Sequence, residues 1–199
     1  MRADVRRIPP APSGPADPGR HARAARRAPG ATALALLMGA HLGVVQLSYT
    51  FLLEAHLTSR TVSYFAALGC WLVGVLLGLW LRRPALFLPL LLAGTGAYYL
   101  AWAIVRARSF DLRLLPVALA CVAASGLLAG YFFPWAAGRF ARPKLLFLHE
   151  NNGFLLGSVV SLVALVHAGE RYLALAPGVA ALLVAAAHLV DRRGAGRSA

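Results

Sequence analysis

The sequence has little charge, and least of all negative charge. Only 14% of its 199 residues are charged, and Asp and Glu together number 7. Ordinary soluble domains carry about 25% charged residues. Because 59% of the residues are apolar, a soluble domain of this length could not bury its apolar surface. The composition excludes a soluble enzyme and predicts a polytopic membrane protein.

Cysteines and enzyme motifs are also scarce. Cys70 and Cys121 both lie inside apolar runs, so we expect no disulfide framework. The sequence has no Gly-x-Ser-x-Gly, no His-Glu-x-x-His, no P-loop and no glycine-rich dinucleotide loop. The cysteines and histidines lack the spacing of zinc ligands. We therefore predict no catalytic residue and no metal site, and the sequence favours a protein that is not an enzyme.

Positive charge is abundant, with 20 Lys and Arg and a net charge of +13. In a soluble protein this excess would suggest nucleic-acid binding. Here the basic residues lie in an N-terminal tail and between apolar runs, where they act as topology signals and contact anionic lipid headgroups. We therefore expect the bilayer, and not nucleic acid, as the partner of these charges.

The chain divides into three parts by composition. Residues 1–30 are rich in Arg, Pro and Ala and are predicted to be a disordered tail. Residues 31–191 form the predicted membrane domain, and residues 192–199 a short basic tail. The fold class is all-α, because a segment in lipid must satisfy its own backbone. Six apolar runs are long enough to span the bilayer: 33–53, 61–81, 85–105, 112–135, 146–168 and 172–190.

Orientation follows from the distribution of Lys and Arg. With the N-terminus in the cytoplasm, the inside segments carry 15 basic residues and the outside loops 5. This bias predicts that both termini are cytoplasmic, as an even number of helices requires. The first run is too long for a cleaved signal peptide, so we expect it to be retained. The high Arg, Ala and Gly content is typical of GC-rich bacteria and predicts an inner-membrane location.

Paired glycines occur in the second helix of each half of the chain. Gly74 and Gly78 lie in the second predicted helix, and Gly153 and Gly157 in the fifth. Gly153, Gly157 and Ser161 share one helical face, which favours close helix packing. Three helices per half would make any repeat an inverted one. Spaced small residues in membrane helices would explain the same pattern without a repeat.

A polar stripe runs along the first predicted helix. Gln46, Thr50 and Glu54 are spaced four residues apart and share a face. Polar stripes in membrane helices usually face the bundle. This stripe could line a path for a solute, or it could hold helices together by hydrogen bonds.

A second polar set is expected at the cytoplasmic start of the fifth helix. It consists of His149, Glu150, Asn151 and Asn152, and it follows a basic loop. One interpretation is a polar or ion-binding site. The other is a helix N-terminus stabilised by Glu150 and Asn151, with ion pairs to the loop.

Six histidines raise the hypothesis of haem b bound by two histidines. His56 and His167 would lie near the outer surface, and His149 and His188 near the inner one. The 18 residues between His149 and His167 correspond to about 27 Å along a helix. Interfacial histidines without a cofactor are the alternative, and we predict no cofactor.

Four segments, taken in order, carry a resemblance to a known family. Residues 63–66 (SYFA) and 71–79 (WLVGVLLGL) resemble the second membrane helix of membrane-bound spermidine-synthase-like proteins. Residues 130–134 (GYFFP) are similar to the end of a later helix in that family. Residues 150–157 (ENNGFLLG) are similar to the start of the helix after it.

The resemblance covers residues 45–190 and implies the membrane module of that family. Those proteins typically carry a soluble aminopropyltransferase domain after the membrane part, and its glycine-rich loop and catalytic aspartates have no counterpart here. Polyamine synthesis is therefore not implied. The leading hypothesis is a non-catalytic anchor or assembly subunit that binds a partner protein or a second copy. The alternatives are a carrier for a small cationic solute and a haem b redox subunit.

Overall fold

The computed structural model describes residues 18–58 and 60–196. The described residues are almost entirely helical, and no β-strand occurs among them. Six of these helices are long and apolar enough to cross a membrane, and the all-α prediction is confirmed. Their bounds are α1 Pro18–His56, α2 Thr61–Gly78, α3 Phe87–Ala107, α4 Leu115–Ala137, α5 Pro143–Ala168 and α6 Glu170–Gly196.

Proline and arginine mark the breaks between the helices. Pro84 begins a single 3₁₀ turn ahead of α3, and Pro143 is the first residue of α5. Proline suits these places because the first helical turn leaves its N–H groups unpaired in any case. The predicted spans overlap these helices, and the observed ends differ from the predicted ones by a few residues at most breaks.

The ends of the chain differ most from the expectation. α1 begins at Pro18, inside the segment predicted to be disordered, and its membrane span is Gly30–His56. Ala and Arg are strong helix formers, so a membrane helix can extend into such a segment. Residues 1–17 of the predicted tail lie outside the described residues. α6 likewise continues to Gly196, and residues 197–199 are outside the description.

Four helices form the centre of the bundle and two flank it. α1, α3, α4 and α6 surround the core, with α1 packed on α6 and α3 packed on α4. α5 packs against α1, and α2 packs against α4. The outward faces of α2, α5 and α6 carry exposed Leu and Val side chains, as expected of surfaces that face lipid.

Glycines bring each flanking helix into backbone contact with its central partner. A Cβ atom on Gly153 or Gly157 would collide with the carbonyl oxygens of Leu36 and Ala40 in α1. Ser161 follows on the same face and is fully buried. On the other side of the bundle, a Cβ atom on Gly74 or Gly78 would collide with carbonyl oxygens of α4. Small residues at such contacts let membrane helices pack closely.

Candidate functional site

A cavity of about 240 Å³ lies between the two flanking helices, α2 and α5. Residues of the central helices α1 and α4 also line it. We call it the central cavity. The two flanking helices, α2 and α5, leave this gap because each packs on a different central helix. The residues that line it include Gln46, Tyr49 and Thr50 of α1, Tyr64 and Trp71 of α2, and Phe154 and Ser158 of α5.

A second cavity, of about 200 Å³, lies nearer the α1–α2 loop. We call it the end cavity. It shares Thr50, Tyr64 and Ala67 with the central cavity and is also lined by Glu54 and Arg60. The shared residues join the two cavities into one groove along α1. The groove therefore runs from the α1–α2 end of the bundle towards the middle of the α1 span.

The predicted polar stripe lies along this groove. Gln46 lines the central cavity, Thr50 lines both cavities, and Glu54 lines the end cavity. The Thr50 hydroxyl donates a hydrogen bond to the Gln46 carbonyl oxygen within α1, at 3.1 Å. Among the described residues, none of the three side chains bonds to another helix. The described residues therefore show no hydrogen bond by which this stripe would hold α1 to another helix, and the three residues line a gap.

Glu150 is not at a helix start. α5 begins at Pro143, two turns earlier, and its N-cap residue Arg142 makes no side-chain capping bond. The Glu150 side chain lies on the α1-facing stripe of α5, and the residue is 8% exposed. It forms no ion pair with any described residue. The predicted pairing with the basic loop is therefore absent, since Arg139 of that loop binds Asp191 instead.

The residues next to Glu150 in the sequence, His149, Asn151 and Asn152, do not share its buried face. The His149 ring lies 6.3 Å from the Phe140 ring, in the connection between α4 and α5. Asn151 and Asn152 are both exposed, although they lie inside the membrane span of α5. Helical spacing puts Asn151 on the same face as Phe154 and Ser158, which line the central cavity. The polar set predicted as one site is therefore divided among several faces of α5.

The histidines that raised the haem hypothesis have separate surroundings. His56 uses both ring nitrogens, one 3.3 Å from the Ser109 hydroxyl and the other 3.3 Å from the Glu170 carboxylate. His167 is exposed, whereas the His188 ring packs 4.5 Å from Phe87. Within 18–58 and 60–196, no three metal-binding side chains come together. Haem binding stays an alternative hypothesis, which an absorption spectrum tests.

The bundle core contains a hydrogen-bonded network that the sequence analysis did not predict. The Tyr49 hydroxyl lies 3.0 Å from Ser125 Oγ, which donates to the Gly94 carbonyl oxygen at 2.8 Å. Tyr98 packs edge-on against Tyr49 and donates to the Leu173 carbonyl oxygen at 2.8 Å. The network joins α1, α3, α4 and α6. Its sequence signal is weak, because tyrosines near helix ends also suit the membrane interface.

Five side chains among the described residues have a buried polar atom without a hydrogen-bond partner. They are His41, Ser48, Thr95, Trp102 and His188. His41 is 2% exposed, and its Nδ1 atom meets no hydrogen-bonding group of the described residues. Such buried groups are costly unless a water or a ligand reaches them.

Ion pairs fix α6 at both of its ends. Arg106 of α3 binds Glu170 at 2.9 Å and lies over the Trp102 ring at 4.7 Å. At the other end, Arg139 binds Asp191 at 2.5 Å and lies over the Trp135 ring at 3.9 Å. Burial lowers the pKa of Arg139, and the Asp191 carboxylate opposes this shift, so the guanidinium stays charged.

Aromatic residues of the groove were not singled out from the sequence. Tyr64 and Trp71 are seven residues apart on α2 and both line the central cavity. That spacing puts them on one face of α2, which is the available signal. Apolar residues surround both positions, so an aromatic face lining a cavity looks like a face buried in lipid.

Comparison with known proteins found no matching family model, curated protein or solved structure.

Proposed function

We propose that this protein binds a small cationic solute in the groove and carries it across the membrane. The observation that supports the proposal is the position of Gln46, Thr50 and Glu54. All three line the groove, and none is bonded to another helix among the described residues. Polar residues inside a membrane span that face a cavity commonly mark a solute pathway.

The groove contains a carboxylate that can attract a cation. Glu54 supplies a carboxylate at the end cavity, and Gln46 and Thr50 supply neutral oxygens farther along α1. Arg60 also lines the end cavity, so a basic residue lies beside the path of the solute. A cation attracted by Glu54 would meet oxygen acceptors as it moved towards the middle of the α1 span.

We also propose that the fold is an inverted 3+3 repeat. In such a repeat, α1, α2 and α3 correspond to α4, α5 and α6. Exchanging the two halves therefore converts the α1–α5 pair into the α4–α2 pair. It also converts the α1–α6 pair into the α4–α3 pair. Both members of each set are major contacts of the bundle. Inverted repeats are common in transporters, where the two units rock against each other around a central site.

Transport is tested with the purified protein in proteoliposomes. Uptake of radiolabelled cations, from sodium to alkylammonium ions, is compared for the wild type and Glu54→Gln. We expect Glu54→Gln to lower uptake of the transported cation at least tenfold. Glu170→Gln is the matched control, because it removes a carboxylate at the same end of the bundle but outside the groove. Equal uptake by wild type and Glu54→Gln would refute the proposal.

A second candidate function is the non-catalytic assembly module suggested by the resemblance to spermidine-synthase-like proteins. The observation that favours it is the exposure of Asn151 and Asn152 within the span of α5. Amide side chains in hydrocarbon find partners on neighbouring helices. A second copy or a partner helix would supply them. Crosslinking in native membranes tests this, and loss of the crosslinked species in Asn151→Leu/Asn152→Leu would support it.

Orientation completes the proposal. The charge bias of the loops supports cytoplasmic termini in a bacterial inner membrane. In this orientation the end cavity opens towards the outside. Fusions of a reporter that is active only in the cytoplasm, placed after Ala199 or in the α1–α2 loop, test the orientation. Activity of the loop fusion, without activity of the C-terminal fusion, would reverse it.

A further inference from the structure

The central cavity has aromatic walls on three sides. Trp71 and Tyr64 line it from α2, Phe154 lines it from α5, and Tyr49 lines it from α1. These four aromatic side chains line a cavity of about 240 Å³ together with the neutral polar side chains of Gln46, Thr50 and Ser158. The side chain of Glu54 is not among the residues of this cavity and belongs to the end cavity alone.

Two of these aromatic rings are held firmly in place. Trp71 is 6% exposed and packs in the core next to α4. The Tyr49 ring is fixed at one edge by Tyr98, and its hydroxyl is bonded to Ser125. Tyr64 differs, since it is 48% exposed and lies where the two cavities join. The central cavity therefore has a buried aromatic inner wall and a half-exposed aromatic side chain at its opening.

Such a wall discriminates between kinds of cation. A metal ion or a primary ammonium ion loses strong hydration in an aromatic cavity and needs several oxygen ligands in return. An ammonium ion with alkyl groups is weakly hydrated, and ring faces attract its diffuse charge. Gln46, Thr50 and Ser158 offer neutral oxygens only, and the Glu54 carboxylate belongs to the end cavity, so a metal ion in the central cavity would have no charged ligand among the lining residues. The cavity therefore suits the alkylated ion.

We infer that the groove selects an N-alkylated ammonium ion, whose alkyl groups occupy the central cavity against Trp71 and Tyr64. This inference rests on the proposed function and names its class of substrate. Glu54 attracts the positive charge at the end cavity, and the aromatic residues select for alkylation. The volume of about 240 Å³ lies below the ~300–1,000 Å³ of typical ligand pockets, which limits the substrate to a small ion.

Arg60 is expected to affect cation binding in the groove. Arg60 lines the end cavity together with Glu54, so its positive charge opposes an arriving cation. Removal of this charge is expected to strengthen cation binding. Arg60→Gln therefore provides a variant that gains affinity, which a misfolded protein would not show.

The test is equilibrium binding to the full-length protein in lipid nanodiscs. Radiolabelled choline is the probe, and 3,3-dimethyl-1-butanol is its uncharged competitor of the same shape. Sodium and methylammonium compete as cations without the alkylated head. We expect unlabelled choline and tetramethylammonium to displace the probe at concentrations at least tenfold lower than the other three competitors.

Substitutions locate the binding to the aromatic wall. Trp71→Leu and Tyr64→Ala are each expected to weaken choline binding by about three- to thirtyfold. Trp71→Phe should lose less, because the Phe ring attracts cations more weakly than indole does but keeps a π face. Trp80→Leu is the matched control, since Trp80 is 83% exposed and lines neither cavity. Tyr64→Ala changes an exposed residue, so it keeps the test valid if Trp71→Leu does not fold.

The outcomes separate the two proposals. Choline binding that falls in both Glu54→Gln and Tyr64→Ala, and rises in Arg60→Gln, supports the inference. Binding that needs Glu54 but is equal for wild type, Trp71→Phe and Tyr64→Ala would overturn it and leave the proposed function standing. Equal competition by 3,3-dimethyl-1-butanol would also overturn it. Transport of a metal cation without any choline binding would overturn the inference alone, whereas no cation transport or binding would overturn both.

Discussion

The Tyr49 hydroxyl of α1 lies 3.0 Å from Ser125 Oγ of α4, in the buried centre of the bundle. Ser125 uses its own hydrogen towards the Gly94 carbonyl oxygen of α3, so Tyr49 is the donor of the pair. One serine therefore connects three helices. The contact also joins α1 to α4, the two helices that the proposed repeat exchanges.

Tyr49→Phe tests the strength of this connection. The substitution keeps the ring and removes the hydroxyl, which leaves Ser125 without its donor. We expect the free energy of unfolding to fall by about 1 kcal/mol, within the range of single hydrogen bonds in membrane proteins. Unfolding in mixed micelles with increasing SDS measures the change. Tyr64→Phe is the control, because Tyr64 is exposed, and a loss of equal size there would contradict the prediction.

Glycine contacts give a second prediction. In Gly130→Ala the new Cβ atom would collide with the Val75 carbonyl oxygen, and in Gly157→Ala with that of Ala40. Backbone atoms cannot move aside cheaply, so each variant should lose about 1–3 kcal/mol of stability. Gly96→Ala is the matched control, because nothing lies within 4 Å of its Cβ position.

The same SDS unfolding assay measures this contrast. Gly96→Ala should leave stability unchanged or raise it, since Ala favours the helix more than Gly does. A control that loses as much as Gly130→Ala would show that backbone contact is not the cause. It would then argue against the close pairing of α2 with α4.

The ion pairs at the two ends of α6 should differ in strength. Asp191→Asn leaves the partly buried Arg139 without its carboxylate, and we expect a loss of about 2 kcal/mol. Glu170→Gln affects a more exposed pair and should cost less than ~1 kcal/mol. High salt should weaken the contribution of Glu170 more than that of Asp191. Thermal unfolding in detergent at low and high salt measures both, and equal losses would contradict the prediction.

The sequence predicted the six helices because lipid imposes long apolar runs, and arginines and prolines interrupt them. It also predicted that Gln46, Thr50 and Glu54 share a face. It could not decide what that face meets, since one helix alone does not show its neighbours. The structure answers this through α2 and α5, which pack on α4 and α1 and leave a gap between them.

Glu150 is a residue whose position in its helix could not be predicted from the sequence. Its position after a basic loop predicts a capping carboxylate, because the apolar run in the sequence begins at residue 146. The helix begins three residues earlier, at Pro143, since proline is favoured at the first helical position. Because α5 starts at Pro143, Glu150 lies two turns inside the helix, where it is buried beside α1 and does not cap the helix start. Helix boundaries are thus the information that local hydropathy supplies least accurately.

His41 provides the last prediction. Its ring is buried, and Nδ1 has no partner among the described residues. His41→Leu replaces an unsatisfied polar group by an apolar one of similar volume. We therefore expect the free energy of unfolding to stay equal or rise by up to ~2 kcal/mol. SDS unfolding measures it, with the exposed His167→Leu as control. A loss above ~1 kcal/mol confined to His41→Leu would show that the ring binds a water or a ligand whose contact outweighs its burial.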